Sequence, residues 1–126
     1  MGFRTPLARA RGLGSAREGA GHWWAQRLTA IALVPLCLWF VAGILGLIGA
    51  GHGAALAWIA SPLNAVLLVL LLLAVFHHGQ LGLQVVIEDY VHTEWCKIAL
   101  IVAVKFASLV LGLAAVFAVA RIALAG

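Results

Sequence analysis

The sequence predicts an all-α membrane protein: three transmembrane helices in a bundle, with the N-terminus cytoplasmic. Three observations predict it. Hydrophobic residues make up 65% of the 126-residue chain and charged residues only 10%, whereas charged residues are about a quarter of an ordinary soluble domain. Three apolar stretches, at about 28–50, 63–86 and 98–120, each reach the roughly 20 residues that a helix needs to cross a bilayer. Arg4, Arg9, Arg11, Arg17 and Arg27 precede the first stretch, while the connection from Gly51 to Pro62 holds neither Lys nor Arg; the positive-inside rule then puts the N-terminus in the cytoplasm. No room remains for a soluble domain, so residues 1–126 read as a single membrane domain.

Residues 1 to about 20 contain Gly12, Gly14 and Gly19 among the arginines and show no apolar period, which predicts an extended arm. The first apolar stretch is longer than a signal-peptide core, so a retained span is expected. Pro35 inside it withdraws one backbone donor and predicts a bend. Trp23 and Trp24 stand before the first span, Trp58 before the second and Trp95 before the third, positions where indole rings suit the membrane interface. The second span opens after Ser61-Pro62, with proline fitting the first helical turn, and the helix is expected to run on to about Val91. Three spans return residues 87–97 to the cytoplasm and leave the C-terminus outside, with Arg121 a single basic exception.

The third span carries Lys105, eight positions after Lys97 and on nearly the same face; its side chain leans toward the helix N-terminus and can snorkel to the cytoplasmic interface. Cys37 and Cys96 show no ligand spacing and lie at different depths, so they read as small packing residues with no disulfide between them. Gly and Ala along the first and third spans allow close helix approach. The net charge of +4 reports orientation and not nucleic-acid binding, because the basic residues form no patch with interleaved aromatics.

The stretch His77-His78-Gly79-Gln80-Leu81-Gly82-Leu83-Gln84-Val85-Val86-Ile87-Glu88-Asp89-Tyr90 closes the second span. Steps of four, three and four place His78, Gly82, Val85 and Asp89 on one helix face. At about 1.5 Å per residue His78 lies roughly 16 Å from Asp89. With Asp89 at the membrane boundary, His78 reaches the middle of a hydrocarbon core about 30 Å thick. An ionisable group at that depth is costly and marks a functional site.

An imidazole there has three uses: a hydrogen bond across helices, a proton relay, or an axial bond to a metal or haem iron. Gly82, one turn along, leaves space for a flat macrocycle against the backbone. His77 points about 100° away from His78, so the two cannot be opposite axial ligands of one iron. His52 is expected outside, and His22 and His92 near the cytoplasmic surface, so no second deep histidine exists. A bis-histidine iron would take its other ligand from another polypeptide or a symmetry copy. At the helix end, the Tyr90 phenol suits a quinone carbonyl and the neighbouring carboxylates suit proton movement; the same residues also suit helix-end polarity with an interfacial aromatic. Arg27 could pair with haem propionates, but on sequence alone a positive-inside flank is the stronger reading of it.

Two segments resemble the small cytochrome b-type membrane anchor subunit of succinate dehydrogenase (complex II). Gly21-His22-Trp23-Trp24-Ala25-Gln26-Arg27-Leu28-Thr29-Ala30, continuing to Leu33-Val34-Pro35-Leu36, resembles that family's entry into its first span. His78-x-x-x-Gly82 followed by Gln84-Val85-Val86-Ile87-Glu88-Asp89-Tyr90-Val91 resembles its haem-ligand helix. The resemblance implies that His78 is an axial ligand of haem b, with the second ligand on a larger cytochrome b-type anchor subunit. It implies that Tyr90 hydrogen-bonds ubiquinone with Asp89 shaping the site, and that Arg27 and His22 lie near the haem propionates. The implied partners are that second anchor, an iron-sulfur subunit, a flavoprotein subunit and the lipid bilayer, in a bacterial inner membrane; the anchor itself oxidises no succinate. Rival readings are a fumarate reductase anchor, a structural anchor without cofactor, or a small transporter with His77, His78 and Lys105 along a path. The transporter reading expects ionisable residues through several helices, and the outer half of every span is almost free of them.

Overall fold

The computed structural model describes residues 14–125, with the side chains described from Ala20 onward. Four helices follow one another: α1 (Gly14–Leu47), α2 (His52–Ala60), α3 (Pro62–Tyr90) and α4 (Glu94–Ala125). Three are long and apolar enough to cross a membrane, over Ala20–Leu47, Pro62–Tyr90 and Glu94–Ala125. Each exceeds the roughly 20 residues that hydrocarbon requires; α3 and α4 run beyond the expected spans at both ends, whereas α1 starts earlier than its expected span and ends at Leu47, short of residue 50.

One expectation needs correction. The arm was expected to stay extended to about residue 20, but α1 begins at Gly14; the helix, once nucleated by the apolar span, propagates backward through Ser15, Ala16 and Glu18 at little cost per residue. Residues 1–13, with Arg4, Arg9 and Arg11, lie outside the described residues. After the first span Gly49 and Gly51, at φ 77° and 92°, turn the chain in the left-handed region that glycine adopts freely, and α2 follows at once. Pro35 lies inside α1, which is helical on both sides of it.

Proline at the start of α3 stands where expected, since its missing N–H falls among the donors without helical partners. The Asn64 amide donates to the Trp58 carbonyl at 3.0 Å, tying the end of α2 to the first turn of α3. At the far end the Val91 N–H closes α3 on the Ile87 carbonyl at 2.9 Å, and Val91 turns extended. Glu94 then opens α4, where a carboxylate complements the positive end of the helix dipole.

The helix α3 is the hub. Every buried hydrophobic side chain among the described residues, Leu68, Leu71, Ala74, Leu81 and Ile87, belongs to it, and both α1 and α4 pack along it. Gly112 of α4 receives the Phe76 ring, whose nearest atom would lie 3.5 Å from an added Cβ. The outward faces of α1 and α4 expose Ile31, Val34, Leu38, Phe106, Leu109 and Leu113, side chains that lipid accepts without penalty.

Trp58, expected at the membrane interface, also packs against α1. Its ring stacks on Trp39 of α1 at 5.2 Å and tilts toward Phe40 at 6.4 Å, and a Cβ on Gly43 would overlap it. The α2 helix is thereby pinned against α1 by an aromatic seated on a glycine. Gly43→Ala is expected to cost about 1–3 kcal/mol, as overpacking does, and to lower the thermal midpoint of the purified protein in detergent; Gly46→Ala, where nothing lies within 4 Å, serves as the unperturbed control.

Candidate functional site

The face of α3 that carries His78 and Gly82 packs against α1. Opposite it, His22, Gln26 and Thr29 follow steps of four and three and share one face of α1. Two contacts fix the antiparallel register: Thr29 Oγ1 lies 3.0 Å from His78 Nδ1, and Gln26 Nε2 is the one atom within 4 Å of a Cβ built on Gly82, at 3.9 Å. A seam of polar groups thus runs between two apolar helices from His22 to His78. Thr29 and Gln26 were quoted in the sequence motif without a role. Their spacing from His22 was the available signal, since three polar residues on one stripe of an apolar helix need partners.

The Thr29 hydroxyl also lies 2.7 Å from the Ala25 carbonyl and 3.1 Å from that of Gln26. Nδ1 of His78 is therefore engaged within the chain, and among the described residues Nε2 makes no hydrogen bond. Two further polar atoms of the seam, His22 Nε2 and Gln26 Oε1, are buried without a partner. Orphaned groups of this kind cost about 1–3 kcal/mol each, so the seam suits a polar ligand or a neighbouring subunit that satisfies them.

These features fit a haem. Nε2 of His78 is the atom through which an imidazole whose Nδ1 is already bonded would bind iron. Gly79, with nothing within 4 Å of an added Cβ, leaves the α3 surface next to His78 open, while the open side of Gly82 faces the Gln26 amide. Among the described residues no three His, Cys, Asp or Glu gather into a chelating group.

The two adjacent histidines diverge as expected. His78 is half-buried against α1, whereas His77 lines a groove of about 290 Å³ between α3 and α4 with Phe76, Gln80 and Ser108. A larger open cleft, of about 840 Å³, lies between α2 and the end of α4 beside Arg121, at the opposite end of the bundle from Asp89. Neither contains His78.

Arg27 stands apart from the seam. It is exposed, with its guanidinium 5.2 Å from the centroid of the Trp23 ring, a cation–π contact near the N-terminal end of the first span. Asp89 and Tyr90 are both exposed at the last turn of α3, Tyr90 by 77%. Glu88 is held by the Gln84 amide, which donates to it at 3.0 Å. The end of α3 thus presents a phenol and a carboxylate outward, available to a molecule or subunit beside it.

A family model described as the succinate dehydrogenase/fumarate reductase transmembrane subunit matches residues 1–112. The chain belongs to this family. Similar proteins are succinate dehydrogenase hydrophobic membrane anchor subunits. The one from Paracoccus denitrificans is 36% identical over 124 residues, covering 98% of this chain and 95% of the relative. That from Rickettsia bellii is 35% identical, covering 93% and 94%, and that from Rickettsia conorii 31% identical, covering 82% of each. Bacterial anchor relatives and three apolar helices make the chain a multi-pass protein of the inner membrane, with the role of a membrane anchor.

Proposed function

We propose that this anchor holds the flavoprotein and iron-sulfur subunits of a succinate:ubiquinone oxidoreductase on the membrane. Beside a second cytochrome b-type anchor subunit, it would supply His78 to haem b and Tyr90 with Asp89 to the ubiquinone site. The N-terminus faces the cytoplasm in this reading, in line with the arginines ahead of the first span. The observation that carries the haem assignment is the half-buried His78 imidazole, engaged through Nδ1 and left with Nε2 unbonded beside a glycine.

When bound, haem b supplies a one-electron redox centre within the membrane. This chain's residues would hold it: His78 through Nε2, with the His22 ring, whose buried Nε2 lacks a partner, near the propionates. Arg27, exposed on a neighbouring stripe, would reach propionates at the membrane surface by turning away from Trp23. At the end of α3, the Tyr90 hydroxyl donates a hydrogen bond to a quinone carbonyl, and Asp89 sits where a carboxylate can hand on protons. Reduction of quinone to quinol takes two electrons and two protons, so a proton-bearing helix end at the membrane boundary matches the chemistry.

Purification through an affinity tag on this chain tests the reading. Flavin, iron-sulfur and b-type haem signals are expected in one preparation that reduces ubiquinone analogues with succinate. A stable preparation carrying the catalytic subunits but no haem would reduce the chain to a structural anchor. Gly82→Leu, which fills the space beside His78, is expected to lower haem content about tenfold or more, by analogy with other disturbances next to a metal ligand, as read by pyridine haemochrome assay.

A further inference from the structure

We propose that Thr29 is the positioning residue of the haem-ligand site: its hydroxyl accepts a hydrogen bond from Nδ1–H of His78 and thereby presents Nε2, unprotonated, for axial ligation. The inference rests on the reading of His78 as that ligand.

The direction of each hydrogen bond follows from the distances. A hydroxyl has one proton to give and two lone pairs. Thr29 Oγ1 lies 2.7 Å from the Ala25 carbonyl oxygen, the usual separation for an O–H···O bond, and 3.0 Å from His78 Nδ1, the usual separation for N–H···O. The carbonyl has no proton, so the hydroxyl donates to it, and the Gln26 carbonyl at 3.1 Å offers the same proton a second acceptor. The Thr29 proton therefore stays on its own helix, as threonine hydroxyls in helices commonly arrange. The lone pairs of Oγ1 face α3, and the proton shared with His78 belongs to the imidazole. A neutral imidazole protonated on Nδ1 carries its lone pair on Nε2.

The opposite assignment, with threonine donating to Nδ1, would put the imidazole proton on Nε2 and forfeit the 2.7 Å bond to Ala25. Both Thr29 and His78 are half-buried between apolar helices, where little water competes for Nδ1. The bond spans 49 positions of sequence and ties ligand orientation to the docking of α1 on α3. It also feeds electron density to the imidazole, since a hydrogen bond from the distal ring nitrogen makes the ligating one more basic. A more basic axial ligand favours ferric over ferrous iron.

The test uses the assembled complex with Thr29→Val, Thr29→Ala and Thr29→Ser, beside His78→Ala. Potentiometric titration of the b-type signal and the rate of haem transfer to apomyoglobin are the readouts. In Thr29→Val and Thr29→Ala the midpoint potential is expected to rise and haem loss to quicken about 10–100-fold, the range for disturbed outer-shell partners; Thr29→Ser keeps both at the wild-type values. Wild-type potential and haem loss in Thr29→Val, with haem absent from His78→Ala, would overturn the role of Thr29 and leave the ligand reading intact. Full haem in His78→Ala would remove the ligand reading and the inference with it. Failure of both Val and Ala to assemble while Ser assembles would make the hydroxyl a structural tie and overturn the assignment.

Discussion

His78→Ala is expected to abolish the reduced-minus-oxidised b-type absorbance of the purified complex, while His77→Ala keeps it. The two side chains are neighbours in sequence and strangers in space. His78 turns to α1 and is bonded there through Nδ1 at 3.0 Å, whereas His77 lines the groove against α4 with Gln80 and Ser108. Alanine at 78 removes the one nitrogen with a fixed partner behind it and a glycine beside it. Disturbing an outer-shell partner alone costs 10–100-fold in metal affinity, so loss of the ligand should leave haem content below about a tenth of wild type. Alanine at 77 removes a groove side chain and disturbs neither the Thr29 bond nor Gly82. Haem retained in His78→Ala and lost in His77→Ala would reverse the ligand assignment.

Tyr90→Phe is expected to slow succinate-driven reduction of ubiquinone about 10–100-fold, with haem content and assembly retained. The substitution deletes one hydroxyl from a side chain that is 77% exposed at the end of α3, so the fold loses almost nothing. Hydrogen bonds to groups that gain charge contribute about 1.5–3 kcal/mol, and each 1.4 kcal/mol is a factor of ten. Succinate oxidation with a soluble dye as electron acceptor, which bypasses the quinone, should stay at the wild-type rate. Unchanged ubiquinone kinetics would remove Tyr90 from the site.

Much of this was legible because the signals were local. The spans follow from runs of apolar residues, and the divergence of His77 and His78 follows from 100° per residue. The shared face of His78, Gly82 and Asp89 is arithmetic on one helix. The short α2 helix was not legible, since nine residues of the type His52–Ala60 are too few for a span and are flanked by glycines that read as a loop. Nor was the seat of Trp58: an indole near a membrane surface satisfies the interface rule as well as it satisfies a stack on Trp39. Gly43 makes room for the stack, and a glycine in an apolar helix carries no label for what lies on it. Thr29 was hidden for the same reason. Its partner lies 49 positions away, and the stripe of His22, Gln26 and Thr29 on α1 signals a need for partners without naming the helix that supplies them.

The bond between Thr29 and His78 also sets an order of events in the making of the protein. The ligand and the group that orients it enter the membrane on different helices, α1 first and α3 later. Until the two have docked, the His78 ring is free to rotate and either tautomer is available to it. If His78 is the haem ligand proposed above, cofactor capture in the productive orientation waits for α1 and α3 to pair, and a chain stalled after α2 has no site to offer. On the proposed reading, assembly of the cofactor site and docking of α1 on α3 become one step, so a loaded subunit is one in which those two helices have paired.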